Sequence, residues 1–188
     1  MSSKAGNSLT EKELVRLVGD GDTRGQRELY ERYAPWLTAV ATRYLGATEQ
    51  VKDLLQDSFI KVFDRFGSFR YKGEGSLKAW LTRIVVNDAL HILRKTERLL
   101  PVENLPEPGP DEDPEVDNLP LEVLQGMISR LPDGYRTVFN LYVFEQMRHK
   151  DIAALLGIKE NSSASQLLRA KALLTKEIKE YRKIHDNG

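Results

Sequence analysis

Cysteine is absent from the 188 residues. That excludes a disulfide framework and any thiolate metal site, and it fits a reducing compartment. Histidine is scarce: His91, His149 and His185 stand far apart, and no phosphate-binding glycine loop or convincing carboxylate pair accompanies them. The expectation is therefore a protein that is not an enzyme and needs no cofactor and no metal. His149-Lys-Asp151 reads as helix surface rather than a catalytic group. Long apolar runs are missing too: none approaches the ~20 residues a membrane span needs, and Met1 to Thr10 is polar, unlike a secretory leader. A cytoplasmic protein is expected, in which the acceptor pattern Asn161-Ser-Ser163 meets no glycosylation machinery.

A surplus of either charge is also lacking, since 28 Lys and Arg face 28 Asp and Glu. The balance is not local. Residues 1–98 carry 17 basic against 13 acidic side chains, and residues 130–188 carry 11 against 7. Between them, residues 99–129 hold 8 carboxylates and no Lys or Arg. Two mildly basic bodies flank an acidic strap. Counterion release depends on local basic surface, so the zero total does not argue against nucleic acid.

Five of the eight prolines fall in Pro101-Val-Glu-Asn-Leu-Pro-Glu-Pro-Gly-Pro-Asp-Glu-Asp-Pro114, and Pro120 follows. Fixed φ, missing amide donors and mutual repulsion read as an extended linker over roughly 101–119. At about 3.3 Å per residue it reaches on the order of 60 Å. It divides the chain into a domain at 1–100 and another at 120–188.

Strand-like alternation does not occur, and both halves read as helical. Thr10-Glu-Lys-Glu13 is a capping box for a short helix stopping near Gly19. Leu29, Tyr33, Leu37, Val40 and Tyr44 recur at helical spacing over 23–45. Val51, Leu55, Phe59, Val62 and Phe66 do so over 48–66, and Leu77, Leu81, Ile84, Val85 and Ile92 over 76–98. Three amphipathic helices of this length make a bundle. In the second half, helices are expected near 121–130, 134–146, 148–156 and 162–182.

The last two have the pattern of a helix-turn-helix. Ile152, Leu155 and Leu156 face inward, Gly157 ends the first helix, Ile158 plugs the turn, and Asn161 or Ser162 caps the second. Ala153 is small enough for close crossing. Leu167, Ala170 and Leu174 continue the buried stripe. Ser162, Ser163, Ser165, Gln166 and Arg169 remain for a major groove, with Lys159, Lys171 and Lys176 for phosphates. An ordinary helical hairpin with a solvated face is the plainer alternative.

In the first half, Asp53, Gln56, Asp57 and Lys61, with Leu54 among them, lie off the core face of their helix. On the residues alone, a solvated charged face is the preferred explanation. Phe66-Gly-Ser-Phe-Arg-Tyr-Lys-Gly-Glu-Gly-Ser76 interleaves rings with cations, as single-stranded nucleic acid requires. Phe66, Phe69 and Trp80 filling a small core is the alternative.

Several of these stretches together resemble a known family. Asp53-Leu-x-Gln-Asp-x-Phe59, Gly73-Glu-Gly-Ser76 and Trp80-Leu-x-Arg-Ile-x-x-Asn87 are similar to domain 2 of the extracytoplasmic-function sigma factors of bacterial RNA polymerase. Leu131-Pro-x-x-Tyr-Arg-x-Val138, Asp151-Ile-Ala-x-x-Leu-Gly-Ile158 and Gln166-Leu-x-Arg-Ala-Lys171 resemble their domain 4. The resemblance covers roughly 24–98 and 121–178. It implies an all-α protein of two domains that binds core polymerase and promoter DNA, in a family commonly held inactive by an anti-sigma factor. It implies that Asp53, Leu54, Gln56, Asp57 and Lys61 dock on the polymerase. Phe69, Arg70, Tyr71, Lys72 and Ser76, with Lys78, Trp80, Arg83, Asn87 and His91 on the following helix, would capture melted −10 bases. Lys159, Ser162, Ser163, Ser165, Gln166, Arg169 and Lys171 would read the −35 duplex. The family's usual Lys-Ser-Arg early in that helix is replaced here by Ala164, Ser165 and Gln166, so its −35 sequence does not carry over.

Two other classes compete. A two-domain helix-turn-helix regulator that does not bind core polymerase shares the second half but leaves the polar face at 53–61 without a purpose. An enzyme is disfavoured for the reasons given at the outset.

Overall fold

The structure, a computed structural model, describes residues 9–96 and 114–185. The linker residues 101–113, with Asp111, Glu112 and Asp113, lie outside the described residues. Regular structure among the described residues is entirely helical. It forms two compact units, Met1–Thr42 with Ala47–Leu90, and Arg43–Gly46 with His91–Gly188, each as far as it is described.

The first unit opens with α1 (Glu11–Gly19). Its capping box is complete: the Glu13 amide donates to Thr10 Oγ1 at 3.2 Å, and the Thr10 amide to Glu13 Oε2 at 2.8 Å. Helix α2 (Thr23–Leu45) contains Pro35, which tolerates the helix while leaving one carbonyl a turn earlier without its amide donor. Then come α3 (Gln50–Arg65), a single 3₁₀ turn at Phe66–Ser68, and α4 (Ser76–Lys95). Leu14, Leu29, Leu37, Val40, Leu77, Leu81 and Val85 are completely or almost completely buried and form the interior.

Helix α3 departs from the expected register. Its buried residues are Val51, Leu54, Ser58, Phe59 and Val62, whereas Leu55 is only half-buried. Ser58 is interior because its hydroxyl donates to Asp88 Oδ2 of α4 at 2.8 Å. A satisfied serine thus occupies an interior position that the apolar stripe leaves out.

The second unit is built from α5 (Leu121–Arg130), α6 (Asp133–Val143), α7 (His149–Leu156) and α8 (Glu160–His185). Helix α8 is the spine against which α5, α6 and α7 pack. Leu141, Ile152, Leu167, Ala170, Leu174 and Ile178 are buried along these contacts. The buried Arg136 guanidinium holds the α5–α6 corner, donating to the Ser129 carbonyl at 2.8 Å and the Leu131 carbonyl at 3.0 Å, and pairing with Asp133. Because α8 begins at Glu160, Asn161 and Ser162 sit in its first turn and do not cap it from outside, contrary to the sequence expectation.

Candidate functional site

One surface is the outward face of α3. Asp53, Gln56 and Asp57 are exposed, and Ile60, one turn further, is 60 % exposed. These positions follow the three- and four-residue spacing of a single helix stripe. Leu54 does not belong to it: at 2 % exposure it is part of the core, which corrects its expected place on this face. Lys61 is engaged internally, its Nζ donating to Asp88 Oδ1 at 2.7 Å. Beside the stripe, Tyr30, Thr48, Lys52, Leu55 and Gln56 line a shallow groove of about 420 Å³.

The glycine-aromatic loop follows α3. Its rings pack on one another: the Phe66 and Trp80 centroids are 5.8 Å apart edge to face, and Phe69 and Trp80 are 5.1 Å apart. Phe66 is buried, while Phe69 and Trp80 are half-buried. Arg70 Nη1 donates to the carbonyls of Gly67 at 2.8 Å and Phe69 at 3.1 Å, which curls the loop around its own cation. Tyr71 is half-exposed, and burial followed by the charges of Glu74 and Glu11 raises its phenol above the ordinary value.

Glycines at φ +117° (Gly73) and φ +86° (Gly75) make the turn into α4, where a side chain would strain the backbone. A carboxylate from α1 closes it. Glu11 Oε2 accepts from the Gly75 amide at 3.0 Å, and Oε1 accepts from the Leu77 amide at 3.1 Å. Tyr33 donates its hydroxyl to Oε2 at 3.3 Å. Burial first, then the Glu11 charge, pushes the Tyr33 phenol up to about 12, so it stays protonated and donating at physiological pH.

Helix α4 leads away from the loop with Lys78, Arg83, Asn87 and His91 exposed along it. Lys78 Nζ lies 3.5 Å from the centroid of the Trp36 ring, and Trp36 Nε1 donates to Thr82 Oγ1 at 3.2 Å. An ammonium over an indole face is held in place while its remaining N–H groups stay available.

In the second unit, Gly157 adopts φ +70°, and its left-handed cap turns the chain from α7 into α8. Lys159, Ala164 and Ser165 are exposed, and Ser162, Gln166, Arg169 and Lys171 are half-exposed. Ser163 is not presented outward as expected. It has 0 % exposure and shares a 3.0 Å hydrogen bond with His149 Nδ1, whose ring stacks on Tyr142 at 4.8 Å. Arg169 Nη1 donates to the Tyr135 hydroxyl at 3.3 Å, so this cation also braces α8 on α6.

Sequence reasoning missed Glu11, Trp36 and Ile60. An acidic residue in a first helical turn reads as a dipole effect, a lone tryptophan reads as core, and an isoleucine in a stripe of acids reads as noise. Ile60 alone left a usable signal, because it continues the 53–56–57 spacing.

The Sigma-70 region 2 family matches residues 29–99, and the Sigma-70, region 4 family matches 121–174. The chain is 30 % identical over 184 residues to the ECF RNA polymerase sigma-E factor of Haemophilus influenzae, covering 90 % of this chain and 96 % of that one. It is 26 % identical to the RNA polymerase sigma-H factor of Pseudomonas aeruginosa, covering 89 % and 93 %. Among solved structures, CnrH in complex with the cytosolic domain of CnrY is similar at 22 % identity and a TM-score of 0.48, covering 89 % of this chain and 96 % of that chain.

Proposed function

The chain belongs to the extracytoplasmic-function sigma factors, which direct RNA polymerase in transcription initiation, and from that premise we propose how its own surfaces divide the work. Asp53, Gln56, Asp57 and Ile60 dock on core polymerase. The observation that carries this is Ile60, an exposed isoleucine that continues an acidic helix stripe. Such an anchor gains most of its value only when a partner removes it from water.

The loop at 69–76 and the exposed residues of α4 hold unpaired −10 bases. Extracting a base costs a few kcal/mol. Each base stacked on a ring or seated in a pocket returns about 1–3 kcal/mol. The two nearly cancel, so a few well-matched bases decide whether the bubble persists, and no nucleotide hydrolysis is needed. Phe69 and Trp80 offer half-buried rings, Lys72 and Lys78 offer phosphate contacts, and Asn87 offers donors and an acceptor for a base edge. In the second unit the start of α8 enters the −35 groove. Lys159 and Lys171 serve phosphates, and Ser162, Ser165 and Gln166 serve base edges. On this reading the chain performs no catalytic step of its own and works in the cytoplasm with core polymerase and promoter DNA. An anti-sigma factor is the regulator such a protein would have.

The test pairs two variants. Ile60→Asp should lose co-purification with core polymerase. Asn87→Ala should keep it and lose permanganate-reactive thymines at the promoter. Retention of core binding by Ile60→Asp, or loss of both properties in Asn87→Ala, counts against the assignment.

A further inference from the structure

We infer that Glu11 is a positioning residue for −10 recognition: its carboxylate, delivered from α1, replaces the missing N-cap of α4 and thereby sets the shape of the loop before it. The inference rests on the reading of 69–76 as the base-capturing loop.

The first amides of a helix have no partner within the helix, and an N-cap side chain normally accepts from one of them. Helix α4 begins at Ser76, which puts Gly75 at the capping position, and glycine has no side chain. Both of the nearby orphan amides, Gly75 and Leu77, donate instead to the two oxygens of one Glu11 carboxylate. The Ser76 hydroxyl, which donates to the Gly73 carbonyl at 2.6 Å, lies 3.5 Å from Oε1, and Tyr33 completes the set. Glu11 is only 3 % exposed. A buried carboxylate is costly unless it is fully hydrogen-bonded, so these donors and the anion hold one another in place. The negative charge also sits at the positive end of the α4 dipole.

The geometry matters because of what it fixes. Gly73 and Gly75 have no side chains of their own to restrain the backbone, and the Ser76 hydroxyl ties down only the Gly73 carbonyl and the Lys72 amide, leaving the Gly75 amide to Glu11. Without the Glu11 bridge, the segment joining Tyr71 and Lys72 to α4 would sample several turns, and each base contact would bear an added ordering cost. With it, the loop enters α4 at a single angle. Glu11 lies 64 residues from Gly75 in sequence and outside the segment matched to Sigma-70 region 2. A short N-terminal helix therefore acts on promoter selectivity without touching DNA.

The experiment uses the full chain assembled with core polymerase. Glu11→Gln keeps the size but leaves one acceptor oxygen and turns a second amide against the loop donors. A labelled non-template −10 single strand should bind about tenfold more weakly, the scale of one lost charge-assisted hydrogen bond. Discrimination between matched and mismatched −10 bases should flatten. Core binding and −35 duplex binding should stay as in the parent. Hydrogen exchange at the Gly75 and Leu77 amides should accelerate. Tyr33→Phe, which removes one donor while leaving the bridge, should show the same changes in smaller measure, and it serves if Glu11→Gln does not fold. Parental single-strand affinity and base discrimination in these variants would overturn the inference. So would a fall shared equally by core, −35 and −10 binding, which marks general destabilisation. Tyr71→Ala and Lys72→Ala separate the layers. If these too leave single-strand binding intact, the reading of the loop itself fails.

Discussion

Asp88 joins two helices through one side chain: it accepts from Ser58 Oγ at 2.8 Å and from Lys61 Nζ at 2.7 Å. The ion pair is partly exposed, so by itself it is worth about 0–1 kcal/mol. Ser58 changes the weighting, since its hydroxyl is buried and would lose its acceptor. An unsatisfied buried polar group costs about 1–3 kcal/mol. Asp88→Ala should therefore lower unfolding stability by about that amount, measured by urea denaturation. Asp88→Ala with Ser58→Ala should recover part of the loss. A double variant as unstable as the single one would mean that Ser58 is not the reason. Lys61 shows why residue roles are hard to read from a pattern. Spacing places it on the polar side of α3, yet a carboxylate 27 residues later draws it into the unit's own framework.

At the scale of the element, the helical segments were legible because each carries a periodic apolar stripe and chemical punctuation: the Thr10 box, Gly46, Pro132, Gly157. What spacing could not supply was the partner of a polar group. The same kind of omission explains Leu54, Ser163 and Glu11. For Ser163 and Glu11 a hydrogen bond to another segment holds a polar side chain inside, and Leu54 is buried at 2 % exposure. The turn between α7 and α8 shows the consequence. His149 stacks on Tyr142 and bonds to the buried Ser163, joining both helices of the DNA-reading motif. His149→Ala should leave Ser163 without this partner and cost about 1–3 kcal/mol. The loss should appear as a lower melting temperature together with weaker −35 duplex binding. His149→Ala with Ser163→Ala should restore part of both. Unchanged affinity in the single variant would show that α8 is aligned without this contact.

For the molecule as a whole, the uneven charge matters more than its zero sum. Binding to DNA releases counterions in proportion to the phosphates neutralised, and a carboxylate-rich segment on the same chain works against that. Replacing Asp111, Glu112 and Asp113 by their amides should raise the DNA affinity of the free protein, most clearly at low salt where screening is weak. Fluorescence anisotropy at two salt concentrations reads this directly, and equal affinities would remove the linker's charge from the account.

Helix α8 has a mechanical role as well as a chemical one. Arg182, in its last turns, donates to Glu115 Oε2 at 3.1 Å and to the carbonyls of Glu115 at 3.0 Å and Asp117 at 3.1 Å. From Glu160 to Arg182 the helix spans about 33 Å at 1.5 Å per residue. The incoming chain is thus moored at the far end of a stiff rod whose near end lies beside the turn from α7. A rigid helix carries both of its ends together, so a tilt at Glu160 is passed on to Glu115 and Asp117 through Arg182.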